Sequence, residues 1–324
     1  MKDSSLKYFD LLNKAYDYDS FRKAFKRFLL ENERGAIYYL NDKRLYFPTL
    51  YFVKKEVESL NTLGNLNLRN RIALNLCSVI KGDMKFKEIS DKYNSKRIHD
   101  TLIWMFDSGV YADGLNDEFD EILDGTVGTL ICYMKDHSIL PSVIDLMFNR
   151  YEKDYFIHDL SWYLLQSKDP SLLGLITNRL KLSNEKSIQL ACKLLHIDGD
   201  LSSFQENKEV NIQQTYNWVN ENMPYIYFSG ESFQLSSEPN IFKVHLEGKY
   251  LNKKVSPDTG EFLKPLKIFE KDALDNFRQS SLEKKEQLSE YSYKLKKQNH
   301  KLWRQWIKND LSSQIALMNK DWEG

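Results

Sequence analysis

Pro141-Ser-Val-Ile-Asp-Leu-Met-Phe-Asn-Arg150 returns 29 residues later as Pro170-Ser-Leu-Leu-Gly-Leu-Ile-Thr-Asn-Arg179. Pro, Ser, Leu, Asn and Arg coincide, and three further positions are conservative apolar swaps. Each copy opens on Pro, which suits a first helical turn, where its missing N–H costs little. Self-similarity at a fixed shift is the mark of a repeat architecture.

A second pattern ties four segments together: Leu102-x-Trp104-x-Phe106, Leu130-x-Cys132-x-Met134, Leu160-x-Trp162-x-Leu164 and Leu190-x-Cys192-x-Leu194. Their central residues lie 28, 30 and 30 apart, and Cys77, 27 before Trp104, begins a poorer fifth copy. Ile98-His99-Asp100 also recurs as Ile157-His158-Asp159, 59 residues on. A unit of this length accommodates two helices of about 10–13 residues with short turns. Leu102, Met105 and Phe106 fall at i, i+3 and i+4, as do Leu160, Tyr163 and Leu164, which is one helical face. A strand reading fails because the intervening residues are often apolar and Gly/Asn turn pairs are missing at strand spacing.

Over roughly residues 65–200 the paired-helix pattern with Pro-led first helices resembles the HEAT-like α-solenoids. The resemblance implies a curved stack of helix pairs whose concave face binds proteins, nucleic acids or peptides. It implies no particular activity and transfers no functional residue. A single helix pair cannot bury its apolar faces alone, so neighbouring pairs complete the core. The fold class expected is therefore mainly all-α.

Composition agrees. The 324 residues correspond to about two domains. With 42% hydrophobic and 13% aromatic residues the chain can build a sizeable core, and its 13 Gly and 7 Pro are too few for a loop-rich all-β protein. The formal net charge of zero hides +7 over residues 1–100, −8 over 101–200 and +1 over 201–324. Three widely spaced cysteines make neither a disulfide framework nor a zinc site. Met1–Asp10 has no signal-peptide pattern, and no apolar run reaches membrane-spanning length. A reducing cytoplasm is the compartment expected.

The flanks read differently. Residues 1–64 read as a helical N-terminal cap, with Phe21, Phe25 and Phe28 as an apolar stripe and Arg22, Lys23, Lys26 and Arg27 on its polar side. Residues 201–267 read as a polar loop over 202–211, a helix near 212–223 that includes Trp218, and short β-prone stretches at Tyr225–Phe228, Phe242–Leu246 and Tyr250–Val255. Ser256-Pro-Asp-Thr-Gly260 is a turn signal. Residues 268–324 read as a C-terminal helical segment, with one long amphipathic helix or two over 268–318. Leu288, Tyr291, Leu295, Leu302 and Trp306 lie within about 40° of one side, opposite Lys294, Lys297, Lys301, Arg304 and Lys308.

Four motifs carry residue types suited to chemistry. The His-Asp pairs, with His137 and Asp169, echo metal-dependent phosphohydrolases, in which imidazole and carboxylate hold a water-activating ion. Their repetition favours a structural slot in which Asp100 and Asp159 complement helix N-termini. Asp198–Glu206 loosely echoes a calcium loop but has Ser203 where the turn needs Gly. The acidic run Asp113–Asp124 reads as a helix N-terminal turn. Cys132 and Cys192 alternate with Trp104 and Trp162 and read as core fillers. No cofactor or metal is expected.

The expectation is a non-catalytic scaffold or adaptor that binds a protein partner. The alternative is a nucleic-acid binder whose two basic stripes, 21–28 and 294–308, line one face. In that alternative Trp303 among Lys301, Arg304 and Lys308 combines phosphate contacts with base stacking.

Overall fold

The computed structural model describes residues 18–59, 63–197, 201–232, 236 and 239–322. The chain divides into two compact units, Met1–Ile139 and Leu140–Gly324, so the division falls inside the span of the expected repeat array.

The first unit is helical throughout its described elements. It contains α1 (Tyr18–Glu31), α2 (Glu33–Leu40), α3 (Phe47–Phe52), α4 (Lys54–Ser59), α5 (Leu68–Ile80), α6 (Phe86–Lys92), α7 (Ser95–Gly109) and α8 (Asp117–Gly128). One device recurs. Asn32, Asn67, Asn94 and Asn116 each stand before a helix and accept a backbone N–H from its first turn, which satisfies an otherwise orphaned donor. The acidic run behaves as expected: Asp117, Glu118 and Asp120 occupy the first turn of α8, while Phe119, Ile122 and Leu123 are buried. Beyond α8 the helix widens into a π turn at Thr129–Tyr133, where Met134 N–H reaches back five residues to Thr129 O at 2.9 Å. Leu130-x-Cys132 therefore lies in a widened helix end, not in a regular helix like Leu102-x-Trp104. Phe47 anchors the aromatic core, 5.9 Å from the Trp104 ring and 5.7 Å from Phe119.

The second unit opens on two helix pairs. α9 (Leu140–Glu152) pairs with α10 (His158–Gln166), and α11 (Ser171–Arg179) with α12 (Glu185–Leu195). Pro141 sits in the first turn of α9 and Pro170 immediately precedes α11, as the quoted segments require. α9 also packs on α11 and α12. The repeated slot has a consistent burial: Leu102, Leu160 and Leu190 are buried, while Trp104, Trp162 and Cys192 are half-buried.

Leu201–Glu206 is a helix (α13) and Lys208–Asn222 another (α14), so the polar stretch 202–211 is helical, not a loop. Polarity alone does not prevent a helix where Gly and Pro are absent. β1 (Ile226–Phe228) and β2 (Phe242–Val244) form a two-stranded antiparallel sheet. Tyr250 instead belongs to α15 (Leu246–Leu251), which His245 caps by accepting Gly248 N–H at 2.9 Å. The Ser256–Gly260 turn closes as read, with Gly260 N–H on Ser256 O at 2.9 Å and Gly260 at φ +73°, a region open to glycine.

Where one long C-terminal helix or two are expected, there are four: α16 (Ile268–Arg278), α17 (Leu282–Gln298), α18 (His300–Trp306) and α19 (Leu311–Trp322). Ser281 and Asn299 interrupt the stretch as N-caps, accepting Lys284 N–H at 3.3 Å and Leu302 N–H at 3.0 Å. Such caps compete with continued helix through local side-chain bonds. Folded back, the segment buries Leu274, Phe277, Leu288, Trp303, Trp306 and Met318 around Tyr250. Leu302, expected on the apolar face, is 42% exposed because the break at Asn299 interrupts the helical phase.

Candidate partner-binding surfaces

The basic C-terminal stripe straddles that break. Lys294 and Lys297 lie on α17, Lys301 and Arg304 on α18, and Lys308 in the following turn; all five are exposed. From Tyr291 to Asn309 the chain holds six Lys or Arg and no Asp or Glu. Part of this charge is answered within the unit. Lys294 lies 3.4 Å from Glu290, and Lys297 lies 3.5 Å from Glu221 on α14. Lys308 stands 5.5 Å over the Phe269 ring. Lys301 and Arg304 have no ion-pair partner among the described residues.

Trp303 departs from its expected role. It is buried, its indole N–H donates to Ser292 Oγ at 2.8 Å, and Lys296 Nζ covers its ring at 4.6 Å. Burial pulls the Lys296 ammonium below the usual lysine range, with Glu270 opposing and Arg304 and Lys253 adding to the fall. Trp306 is buried too, donating to Gln314 O at 3.1 Å. The surface between Lys297 and Lys308 is thus charged, with both indoles buried and the exposed ring of His300 stacked on Trp303 at 5.8 Å.

The N-terminal stripe belongs to the other unit. Phe21 and Phe25 are buried and Lys23, Lys26 and Arg27 exposed, as their spacing predicts. Arg22 differs, because its Nε donates to the buried carboxylate of Glu56 at 2.6 Å, which makes it a structural partner for that acid. A polar cavity of about 600 Å³ beside it is lined by Arg22, Lys54, Lys55 and Lys81 against Asp19, Glu58, Asp83 and Glu118, so its charges cancel.

The metal-like motifs separate. His99 sits in the second turn of α7, with Nε2 2.7 Å from Asp136 Oδ2. Burial pushes the Asp136 carboxyl up, but hydrogen bonds from Ser138 and His99 outweigh it and hold the group below its ordinary range. Asp100 is therefore not at a helix start, whereas Asp159 is in the first turn of α10. Asp169 accepts Ser171 N–H at 2.9 Å as α11 begins. Residues 198–200 of the calcium-like segment lie outside the described residues, and 201–206 is helical. No cluster of three or more His, Cys, Asp or Glu placed to hold a metal occurs among the described residues. Burial pushes the Cys77 thiol up to about 12 and raises those of Cys132 and Cys192.

One feature of the second unit went unread in the sequence. A groove of about 540 Å³ opens between the end of α12, the side of α14 and β2. Its walls are mainly apolar, with Leu195, Ile197, Trp218, Phe242 and Val244, and Gln214, Thr215 and Asn240 supply polar groups. Trp218 is 42% exposed and stands 6.2 Å from the Phe242 ring. His196 ends α12 in the left-handed region (φ 53°), and its Nε2 accepts Ile241 N–H at 3.3 Å. The contributing residues span three elements, and a left-handed His carries little sequence signal.

No helix among the described residues is long and apolar enough to cross a membrane. No protein-family model, curated protein or solved structure matches the chain.

Proposed function

We propose that this chain is a non-catalytic, cytoplasmic helical adaptor that binds an acidic segment of a protein partner at the corner formed by α17 and α18. The observation that carries the reading is the run from Tyr291 to Asn309, with six basic side chains and no acidic one, from which Lys301 and Arg304 project without an ion-pair partner among the described residues. Such a surface attracts carboxylates and raises the rate of encounter. The helix pairs α9/α10 and α11/α12, read as HEAT-like, belong to the same unit as this surface.

The burial of Trp303 and Trp306 favours a protein segment over a single nucleic-acid strand. Binding to single strands draws on base stacking worth about 1–3 kcal/mol per base, and both indoles are already engaged inside the fold. The experiment is a competition on the full chain at about 0.15 M salt. A labelled peptide ending in a run of aspartates is displaced by unlabelled peptide or by a single-stranded oligonucleotide of equal charge. The peptide is expected to compete more strongly. Stronger competition by the oligonucleotide overturns this reading in favour of nucleic acid.

A further inference from the structure

Each strand of the two-stranded sheet turns alternate backbone groups outward, and on the β1 side one of them is bonded. Ser229 N–H donates to Ile241 O at 3.0 Å and His245 N–H to Tyr225 O at 2.8 Å. Antiparallel partners exchange bonds at every second pair, so Tyr227 and Lys243 exchange them between these two. Phe228, a non-bonded position of β1, accordingly turns outward and donates to Pro257 O at 2.9 Å, which occupies that position. By the same alternation Phe242 and Val244 turn their N–H and C=O groups away from β1. Among the described residues no hydrogen bond reaches these groups. The strand ends just before Phe242: Ile241 N–H donates to Pro239 O at 3.0 Å, Asn240 N–H donates to Glu231 Oε2 at 2.8 Å, and Asn240 O accepts from Ser229 Oγ.

Phe242 and Val244, the two alternate residues of β2 on this side, also line the groove, with Asn240 just ahead of the strand. Residues two apart in a strand share both a side-chain face and a hydrogen-bonding side. The open backbone positions and the apolar cavity therefore lie along one edge. A chain in extended conformation meets both demands, since it supplies N–H and C=O groups at the same two-residue spacing and projects alternate side chains into the cavity.

Charge defines one end. α14 carries Gln214, Thr215 and Trp218 into the groove, and one turn after Trp218 it carries Glu221, which is paired with Lys297. From Glu221 the chain runs through a short 3₁₀ turn, Met223–Tyr225, straight into β1, where Ile226 faces Val244. The Val244 end of the groove is thus the end nearest Lys297 and the basic corner.

We infer that the groove binds an extended peptide segment that adds a strand to β2 at Phe242 and Val244, buries one apolar side chain beside Trp218, and carries carboxylates beyond the Val244 end toward the basic corner, where they compete with Glu221 for Lys297. This rests on the proposed acidic-segment reading and specifies the conformation and side-chain chemistry of that segment. The three contacts have different sources, so each fails separately.

The test uses the full chain and a set of labelled decapeptides. Each alternates threonine and valine, has one central position filled in turn by Val, Ile, Leu, Phe or Trp, and ends in three aspartates. A second set is N-methylated at two alternate backbone nitrogens, which removes strand donors but keeps the side chains. Affinity is read by fluorescence anisotropy, and amide exchange is followed at Phe242 and Val244. The unmodified peptides are expected to protect both amides. N-methylation is expected to weaken binding about tenfold or more, since two buried hydrogen bonds are lost. Trp218→Ala should remove the preference among central residues, and Lys297→Glu should weaken all the aspartate-tailed peptides. Equal affinity for N-methylated and unmodified peptides, or unchanged exchange at both amides, overturns strand addition while leaving the acidic-segment reading standing if Lys297→Glu still weakens binding. Binding unaffected by Lys297→Glu together with charge reversal at Lys301 and Arg304 overturns the acidic-segment reading instead. Failure of every unmodified peptide to bind overturns strand addition.

Discussion

Trp303 Nε1 donates to Ser292 Oγ at 2.8 Å, and the same hydroxyl donates to Tyr250 O at 2.5 Å. One serine thus links α17, α18 and α15 inside the second unit and turns the most conspicuous aromatic of a basic segment into a core residue. The basic corner is what remains outside after this folding: Lys301 and Arg304, one on each side of Trp303 in the sequence, stay in solvent.

Trp303→Ala should accordingly destabilise the protein by about 3–5 kcal/mol, the range for removing a large buried aromatic. Urea unfolding measures this. The folded fraction should keep its affinity for an acidic peptide, because the indole does not face a partner. Loss of peptide affinity with little change in stability would return Trp303 to the binding surface.

Asn299→Ala removes the cap that separates α17 from α18. The side-chain acceptor for Leu302 N–H is lost, at a cost of about 1 kcal/mol. Asn299→Asp keeps the acceptor and should be nearly neutral. The comparison of the two by chemical denaturation checks whether the break is held by this hydrogen bond.

The His245 side chain caps α15 through a lone pair on Nδ1, which accepts Gly248 N–H. Burial lowers its folded-state proton affinity, and repulsion from Arg278 adds to this although Glu247 and the backbone oppose it. The unfolded chain therefore binds this proton more readily than the folded one. The resulting stability is fully present above the unfolded value of about 6.5 and is lost as pH falls through that value toward the lower folded one. Stability measured from pH 7.5 down to 5 should fall more in the native chain than in His245→Asn, which keeps a capping acceptor that does not titrate. Parallel profiles would contradict the assignment.

Cys77 is fully buried, with its thiol pushed up to about 12, whereas Cys132 and Cys192 are half-buried. The thiolate is the reactive form, so Cys77 should react with a thiol reagent only as fast as the protein unfolds. Cys132 and Cys192 should react sooner. Rapid labelling of three thiols in the folded protein would show that α5 is not packed as described.

Much of the helical organisation was legible because it depends on local signals. Pro141 and Pro170 mark helix starts, and the spacing of Leu160, Tyr163 and Leu164 marks a face. The C-terminal break was not legible, because Asn299 ends one helix and caps the next without a Gly or Pro; a face drawn at constant helical phase carried Leu302 inward, and the basic neighbours of Trp303 made it a surface candidate. Burial reverses both. The basic residues could be read directly, since exposure of Lys297, Lys301 and Arg304 needs only solvent. The groove could not. It is assembled from His196, Trp218 and Phe242 on separate elements, and its open edge follows from the register between Ile226 and Val244, a non-local pairing.

The most direct test of the central claim is a charge-swap titration. The native chain and a Lys297→Glu/Lys301→Glu/Arg304→Glu variant are each titrated with an aspartate-tailed peptide and with its lysine-tailed counterpart, at low and at physiological salt. The account predicts that the native chain prefers the acidic peptide, that the variant loses at least about tenfold of that affinity and gains affinity for the basic peptide, and that both preferences weaken with salt. Unchanged affinity of the variant for the acidic peptide, with its helical signal and unfolding midpoint intact, would contradict it.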